Sequence, residues 1–353
     1  MKKSKTLINS GLVLLLSIFL VWYFLKDNYK VSLEVLHNAN LWWLLLAIII
    51  YLVYFLLETL LLKKLVNNHK KDYSFLSAFK LYLMTKFFNG ITPFSSGGQP
   101  LQLIEMKKEG VNYLEGTTVL IKHFIILQCS IVFLSIISLI LNLIFKWAMP
   151  TGFLNIILII GFFINYFLLF LVVLLSYKIS LCEKVCEFFI NILCKLKIIK
   201  NKEEKINNIK KSCEDYQKSY KELVNNKSYF YKLILLESLA LAFAFAVPFF
   251  VFKAIGCPYN NFLAIFVLSV FKFLIGSFVP IPGGTGGMEY AYVHLYEFVI
   301  PSMYLSVSLI LWRVIDYYAP MIIGGIFFNY EKARRDFKKI KSIGIIIWIK
   351  IVL

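Results

Sequence analysis

Charge is what this sequence has least of. Asp, Glu, Lys and Arg make up 16% of its 353 residues, against 59% hydrophobic ones, where a soluble domain is about a quarter charged. In water such a chain would expose far more apolar surface than a soluble fold accepts. A cytosolic enzyme, a disordered segment and a disulfide-stapled secreted domain are excluded together. Acids are scarcer than bases, 20 Asp and Glu against 38 Lys and Arg, and there are four His. The six cysteines (Cys129, Cys182, Cys186, Cys194, Cys213, Cys257) form no CxxC pair, and Cys182 and Cys186, one helical turn apart, have no His beside them to complete a metal site. Four of the six fall in or near a basic stretch read below as cytoplasmic, where thiols stay reduced, so all six read as structural. The sequence shows no Ser-His-Asp set or metal cluster, and Gly283 to Gly287 lacks the following Lys-Ser/Thr of a nucleotide loop. No catalytic residue, cofactor or metal is expected.

What is abundant is apolar and aromatic: 33 Phe, 21 Tyr and a mean hydropathy of +0.74. A spanning helix needs about 20 mostly apolar residues, and runs of that kind read at 7–25, 40–62, 116–145, 152–177, 229–253 and 303–328. The first, preceded by Lys2, Lys3 and Lys5, lacks a small-residue cleavage site and reads as a retained anchor with its N-terminus inside. The stretch 178–228 differs in kind, with thirteen Lys between Lys178 and Lys232, interspersed acids, and Leu and Ile at helical spacing. It reads as an amphipathic cytoplasmic linker near the anionic membrane surface. Alternate counting also puts 63–74 and the basic tail Lys332 to Lys341 inside, while the outer loops near 27–39, 146–151 and 254–260 carry few Lys. The net charge of +18 therefore orients the chain, and nucleic acid is not an expected direct partner.

Two stretches are not simple spans. Residues 75–112 hold a short apolar helix, the breaker Asn89-Gly-Ile-Thr-Pro93-Phe-Ser-Ser-Gly97-Gly98-Gln99-Pro100, and a helix through Glu105. Residues 259–300 hold a helix to Phe278, the breaker Val279-Pro280-Ile-Pro282-Gly283-Gly284-Thr-Gly-Gly287, and a helix carrying Glu289. Pro and Gly at this density free backbone groups that lipid cannot satisfy, so each loop must be buried in protein or line a wet cavity. Re-entrant hairpins with Pro93, Pro280 and Pro282 as breakers follow. The two units share an order: Lys86 and Lys272 stand four residues before a Gly, paired glycines come next, then the acids Glu105 and Glu289. Each unit is followed by a span with a cation, Lys122 or Arg313, and preceded by a span with one acid, Glu58 or Glu237. Opposite sidedness makes them an inverted repeat, about 40–145 and 229–328, of the kind transporters use. The expected fold is an all-α polytopic integral membrane bundle with two opposed re-entrant helical hairpins, forming a single domain over 1–353.

Phe88-Asn89-Gly-Ile-Thr-Pro93 with Gly97-Gly98, and above all Val279-Pro-Ile-Pro-Gly-Gly-Thr-Gly-Gly-Met-Glu289, resemble the lysylphosphatidylglycerol synthase transmembrane family. This is the flippase-like domain at the N-terminus of the bacterial multiple peptide resistance factor, and Lys122 stands where that family more often has Arg. The resemblance implies translocation of a phospholipid, typically lysyl-phosphatidylglycerol, in a bacterial cell membrane; the Lys distribution puts both termini in the cytoplasm. Full-length members carry a soluble domain that transfers lysine from lysyl-tRNA to phosphatidylglycerol. About 25 residues follow the last span, so that domain is expected to be absent and transferase activity is not expected.

An ionisable group at depth costs at least about 2.5–3.5 kcal/mol on insertion scales and needs a partner or water. Lys272, Arg313 and Lys122, with the backbone of Gly283, Gly284, Gly97 and Gly98, are the expected phosphate ligands. Glu289, Asp316, Glu237, Glu58, Asn89 and Gln99 are the expected polar cavity partners. Arg313 and Asp316, three apart on one helix face, could also form a self-contained pair. Lys86 reads as snorkelling, His123 and His294 as packing residues, and Trp42, Trp43, Trp147 and Trp312 as interfacial belt and core. The alternatives are a polyprenyl-phosphate or other lipid carrier, and a membrane partner of a separate synthase docked through 178–228. The sequence leaves the oligomeric state open.

Overall fold

The computed structural model describes residues 34–195 and 202–331. The expected anchor at 7–25 and the basic tail at 332–341 lie outside those residues. Every described element is helical. Eleven longer helices run α1 (Leu41–Asn67), α2 (Phe75–Gly90), α3 (Gly98–Lys108), α4 (Tyr113–Phe145), α5 (Gly152–Tyr177), α6 (Ile179–Lys195), α7 (Lys202–Asn225), α8 (Lys227–Ala254), α9 (Phe262–Gly276), α10 (Gly287–Tyr296) and α11 (Ser302–Glu331). Of these, α1, α4, α5, α8 and α11 are long and apolar enough to cross a membrane. The protein is an all-α, multi-pass membrane bundle.

Local chemistry sets the boundaries. The helix expected from 116 begins at Tyr113, because Asn112 accepts the Glu115 N–H while the Glu115 carboxylate accepts the Asn112 N–H. Asn40, Ser74, Asn226 and Asn261 cap α1, α2, α8 and α9 in the simpler way, each side-chain oxygen accepting a first-turn N–H. On α5 the side chains of Ile156, Ile159, Phe163, Phe167 and Phe170 face outward, an apolar belt suited to lipid and not to water.

The helices α1 and α8 pack along one another and run in opposite directions. The Asn40 N–H donates to the Ala254 carbonyl at one end, and Asn68 donates to the Tyr229 hydroxyl at the other. Between α2 and α3 lies a short 3-10 turn, Pro93–Ser95, and between α9 and α10 another, Pro282–Gly284. The base of the α2–α3 unit closes at the Asn68 end, where the Lys70 ammonium bonds to the Glu109 carbonyl and Ser77 reaches the Glu109 carboxylate at 3.3 Å. The base of the α9–α10 unit sits at the other end, where Phe262 packs edge-on against Phe249 and Tyr296 against Phe252. The two units thus approach from opposite ends of the α1–α8 pair, and their turns pack against each other.

The linker is a pair of packed helices, α6 and α7. Tyr216 donates to the Val172 carbonyl at 2.7 Å, Ser219 donates to Thr118 at 3.1 Å, and Leu223 is buried. These contacts fasten α7 to α5 and α4.

Candidate functional site

The two turns are built differently. In the first, side chains from the end of α2 cap the start of α3. Asn89 Oδ1 accepts the Gly98 N–H at 2.8 Å, and Thr92 Oγ1 accepts the Gly97 N–H at 2.8 Å while donating to the Phe88 carbonyl. In the second, Gly284 donates to the Ile281 carbonyl, Thr285 Oγ1 to the Pro282 carbonyl, and Gly286 to Glu289 Oε2 at 2.6 Å. The N–H groups of Gly97, Gly98 and Gly284, expected to face a phosphate, are therefore already engaged in this conformation. Asn89 holds its own loop together in the same way. Gln99 and Pro280 are exposed.

Above the second turn lies the buried charge. Arg313 Nη2 is 2.7 Å from Glu289 Oε1, with both side chains about 95% buried, and Arg313 Nη1 donates to the Gly283 carbonyl at 3.3 Å. Glu289 thus ties Arg313 to the α10 N-terminus, where a carboxylate is favoured by the helix dipole. This corrects the Arg313–Asp316 pairing. A π-turn at Val314–Tyr318 interrupts α11 immediately after Arg313. Such a widened turn leaves carbonyls to satisfy, and the Tyr51 hydroxyl donates to that of Asp316 at 3.0 Å. The half-buried Asp316 carboxylate has no hydrogen bond or ion pair among the described residues, yet lies within electrostatic reach of Lys272, Lys86 and Arg313.

Lys272 is the other uncommitted charge. It is 4% exposed, and its ammonium sits 3.5 Å from the centroid of the Trp312 ring and 5.5 Å from that of Tyr292. It has no hydrogen bond or ion pair among the described residues, so the aromatic faces, with Asp316 and Glu289 acting through space, offset part of its desolvation. Trp312, expected in the belt or core, is the platform for this cation. Tyr317 joins the two turns: its hydroxyl donates to the Gly90 carbonyl at 2.8 Å, and its ring covers Gly283.

Lys122 is elsewhere. Its ammonium pairs with Glu222 of α7 at 3.0 Å, so it clamps the linker to α4 and is not among the groups around Arg313. Lys86 does not snorkel outward; it bonds to the Tyr54 hydroxyl at 2.9 Å and lies over the Tyr54 and Tyr82 rings. His294 pairs with Glu297 at 3.1 Å. His123 is more than a packing residue, with Nε2 3.6 Å from Glu58. The fold gathers Glu58, His123 and Glu237 from α1, α4 and α8 within 4.8 Å of one another, a cluster that linear spacing could not reveal. A mixed-charge cleft of about 360 Å³ on the linker helices, lined by Lys218, Lys221 and Glu222, touches none of the hairpin residues.

This arrangement coincides with a family relationship. The sequence profile described as the lysylphosphatidylglycerol synthase TM region matches residues 11–324. The chain belongs to this family. A relative from Archaeoglobus fulgidus, described as a UPF0104 membrane protein, is 27% identical over 282 residues, 75% of this chain and 79% of its own length. The lysylphosphatidylglycerol synthase TM family is a membrane domain with a lipid-related role, and the motif that carried the resemblance, Val279 to Glu289, is the segment that holds Arg313 through the Gly283 carbonyl and the Glu289 carboxylate. Tyr317, Tyr51, Tyr54 and Trp312 were invisible as site residues because a chain with 54 Phe and Tyr in all (33 and 21) gives no single aromatic a signal.

Proposed function

We propose that the chain is a lipid translocase that moves lysyl-phosphatidylglycerol, or a related anionic or zwitterionic phospholipid, between leaflets of the cell membrane. The observation that carries this reading is a pair of uncommitted opposite charges, Lys272 and Asp316, beside the buried Arg313–Glu289 pair where two Pro-Gly turns meet. A headgroup with a phosphate and an amine offers the complementary charges, Lys272 taking the phosphate oxygens and Asp316 the ammonium. The α2–α3 and α9–α10 units act as re-entrant hairpins of an inverted repeat, opening in turn to each leaflet while the acyl chains stay in the bilayer. A cytoplasmic position for both termini and the linker belongs to this reading, and the Lys distribution supports it. Membership of a lipid-related membrane family supports the same assignment.

The test is translocation of fluorescent phosphatidylglycerol and lysyl-phosphatidylglycerol analogues in proteoliposomes, scored by accessibility to a reductant, for wild type and Lys272→Ala. Protein-dependent movement, lost in the variant at equal folded incorporation, is the expected result. No movement of either analogue by folded wild type, or full activity of Lys272→Ala, overturns it. Movement of a polyprenyl-phosphate analogue alone would keep the carrier and replace its substrate.

A further inference from the structure

Away from the hairpin turns, α1 and α8 each place one acid at their shared interface. Glu58 is 4% exposed and Glu237 is fully buried, and their carboxylates, with the His123 imidazole, fall within 4.8 Å of one another. Neither oxygen of Glu237 has a hydrogen-bond partner among the described residues. Two carboxylates this close in an apolar interior either share a proton or need a counter-charge, because like charges repel. The cation within reach is partly committed. From α2, Lys86 acts on both acids through space, but its ammonium is bonded to Tyr54 and stacked on two rings. Tyr51 and Tyr54 from α1 and Tyr82 from α2 feel the charge of Glu58, and Asp316 of α11 acts on Tyr51 and Tyr54 as well. His123 from α4 approaches Glu58 at 3.6 Å and is the member of the cluster with surface exposure, 18% of its side chain.

We propose that Glu58 and Glu237 form a proton-exchange site, in which one carboxyl O–H donates to the other carboxylate and His123 relays the proton to and from the surface. The proton moves from His123 to a Glu58 oxygen and is then shared with Glu237, so the loaded pair carries a single negative charge; the empty pair carries two, countered by Lys86 through space and by the proton returned to His123. Loading draws α1 and α8 together, and unloading drives them apart by like-charge repulsion. Proton binding stands on this geometry alone; its coupling to lipid movement rests on the translocase reading.

Infrared difference spectroscopy of the whole protein in phosphatidylglycerol vesicles, titrated from mildly acidic to alkaline buffer, tests the proposal. A carboxylic C=O band that shifts on deuterium exchange and titrates as one proton per chain is expected. It should be absent from the Glu58→Gln/Glu237→Gln double variant. Each single variant should bind its proton about tenfold more weakly, because the second negative charge that attracts it is gone. His123→Gln should keep the band and slow its exchange, which provides a reading even if the double variant folds poorly. A band unchanged in a folded double variant overturns the proposal. So does a stoichiometric metal ion found in the purified wild type and lost from the single variants, which would make the cluster a metal site. Loss of lipid translocation with the band intact would count against the transport reading only.

Discussion

Gly283 has two demands on it that a side chain would break. Its φ is +66°, a left-handed conformation costly for L-residues, and a Cβ there would lie 2.2 Å from the Tyr317 ring. Tyr317 in turn holds the Gly90 carbonyl of the other hairpin. Gly283→Ala is therefore expected to lower stability by about 1–3 kcal/mol and to displace the carbonyl that Arg313 uses. Thermal unfolding in detergent beside the translocation assay would check it, with Gly286→Ala as the comparison, since Gly286 is equally left-handed but faces open space. At this scale the sequence was informative where a residue type has few uses. A Gly-Gly after Pro, or a Lys in an apolar run, announces itself. Partner choice was not legible: Arg313 has Asp316 three residues away, yet it pairs with Glu289, 24 positions earlier, because the π-turn and the second hairpin bring that carboxylate closer.

Among the elements, α7 combines a charged face with one committed to the bundle. Its Lys content gives the expectation of a cytoplasmic linker; one face carries Tyr216, Ser219 and Leu223 into the bundle, with Glu222 at the rim. Lys122 is 6% exposed at its side chain and Glu222 48%, so the pair straddles the rim and its Coulomb gain is screened. Lys122→Met, which fills the same space without a charge to solvate, should cost about 1 kcal/mol or less. Glu222→Gln should cost more, because it leaves a buried ammonium without its counter-ion. Limited proteolysis of the linker and thermal unfolding would rank the two. Equal effects would mean that Lys122 reaches water and the clamp is weak. The five spans among the described residues were readable from hydropathy because lipid imposes a length of about 20 apolar residues. Boundaries shifted where a cap intervened, as at Asn112 and Glu115, whose mutual hydrogen bonds start α4 three residues early.

The whole bundle has a direction. α1 and α8 are antiparallel, and the two hairpin units are anchored at opposite ends of that pair: Lys70 with Glu109 at one end, Phe249 with Phe262 at the other. If this axis is the membrane normal, residues near the two bases must face opposite compartments. The expectation from Lys distribution is that the Lys70 end is cytoplasmic. Single cysteines at the exposed positions Lys71 and Asn260, placed in a chain whose native cysteines are replaced by serine, decide it. In intact cells a membrane-impermeant thiol reagent should label Asn260→Cys and spare Lys71→Cys, and in inverted vesicles the preference should reverse. Labelling of both from one side would mean that one unit crosses the membrane completely. The opposed hairpins would then be lost, and with them the route by which a headgroup could meet Lys272 from either leaflet.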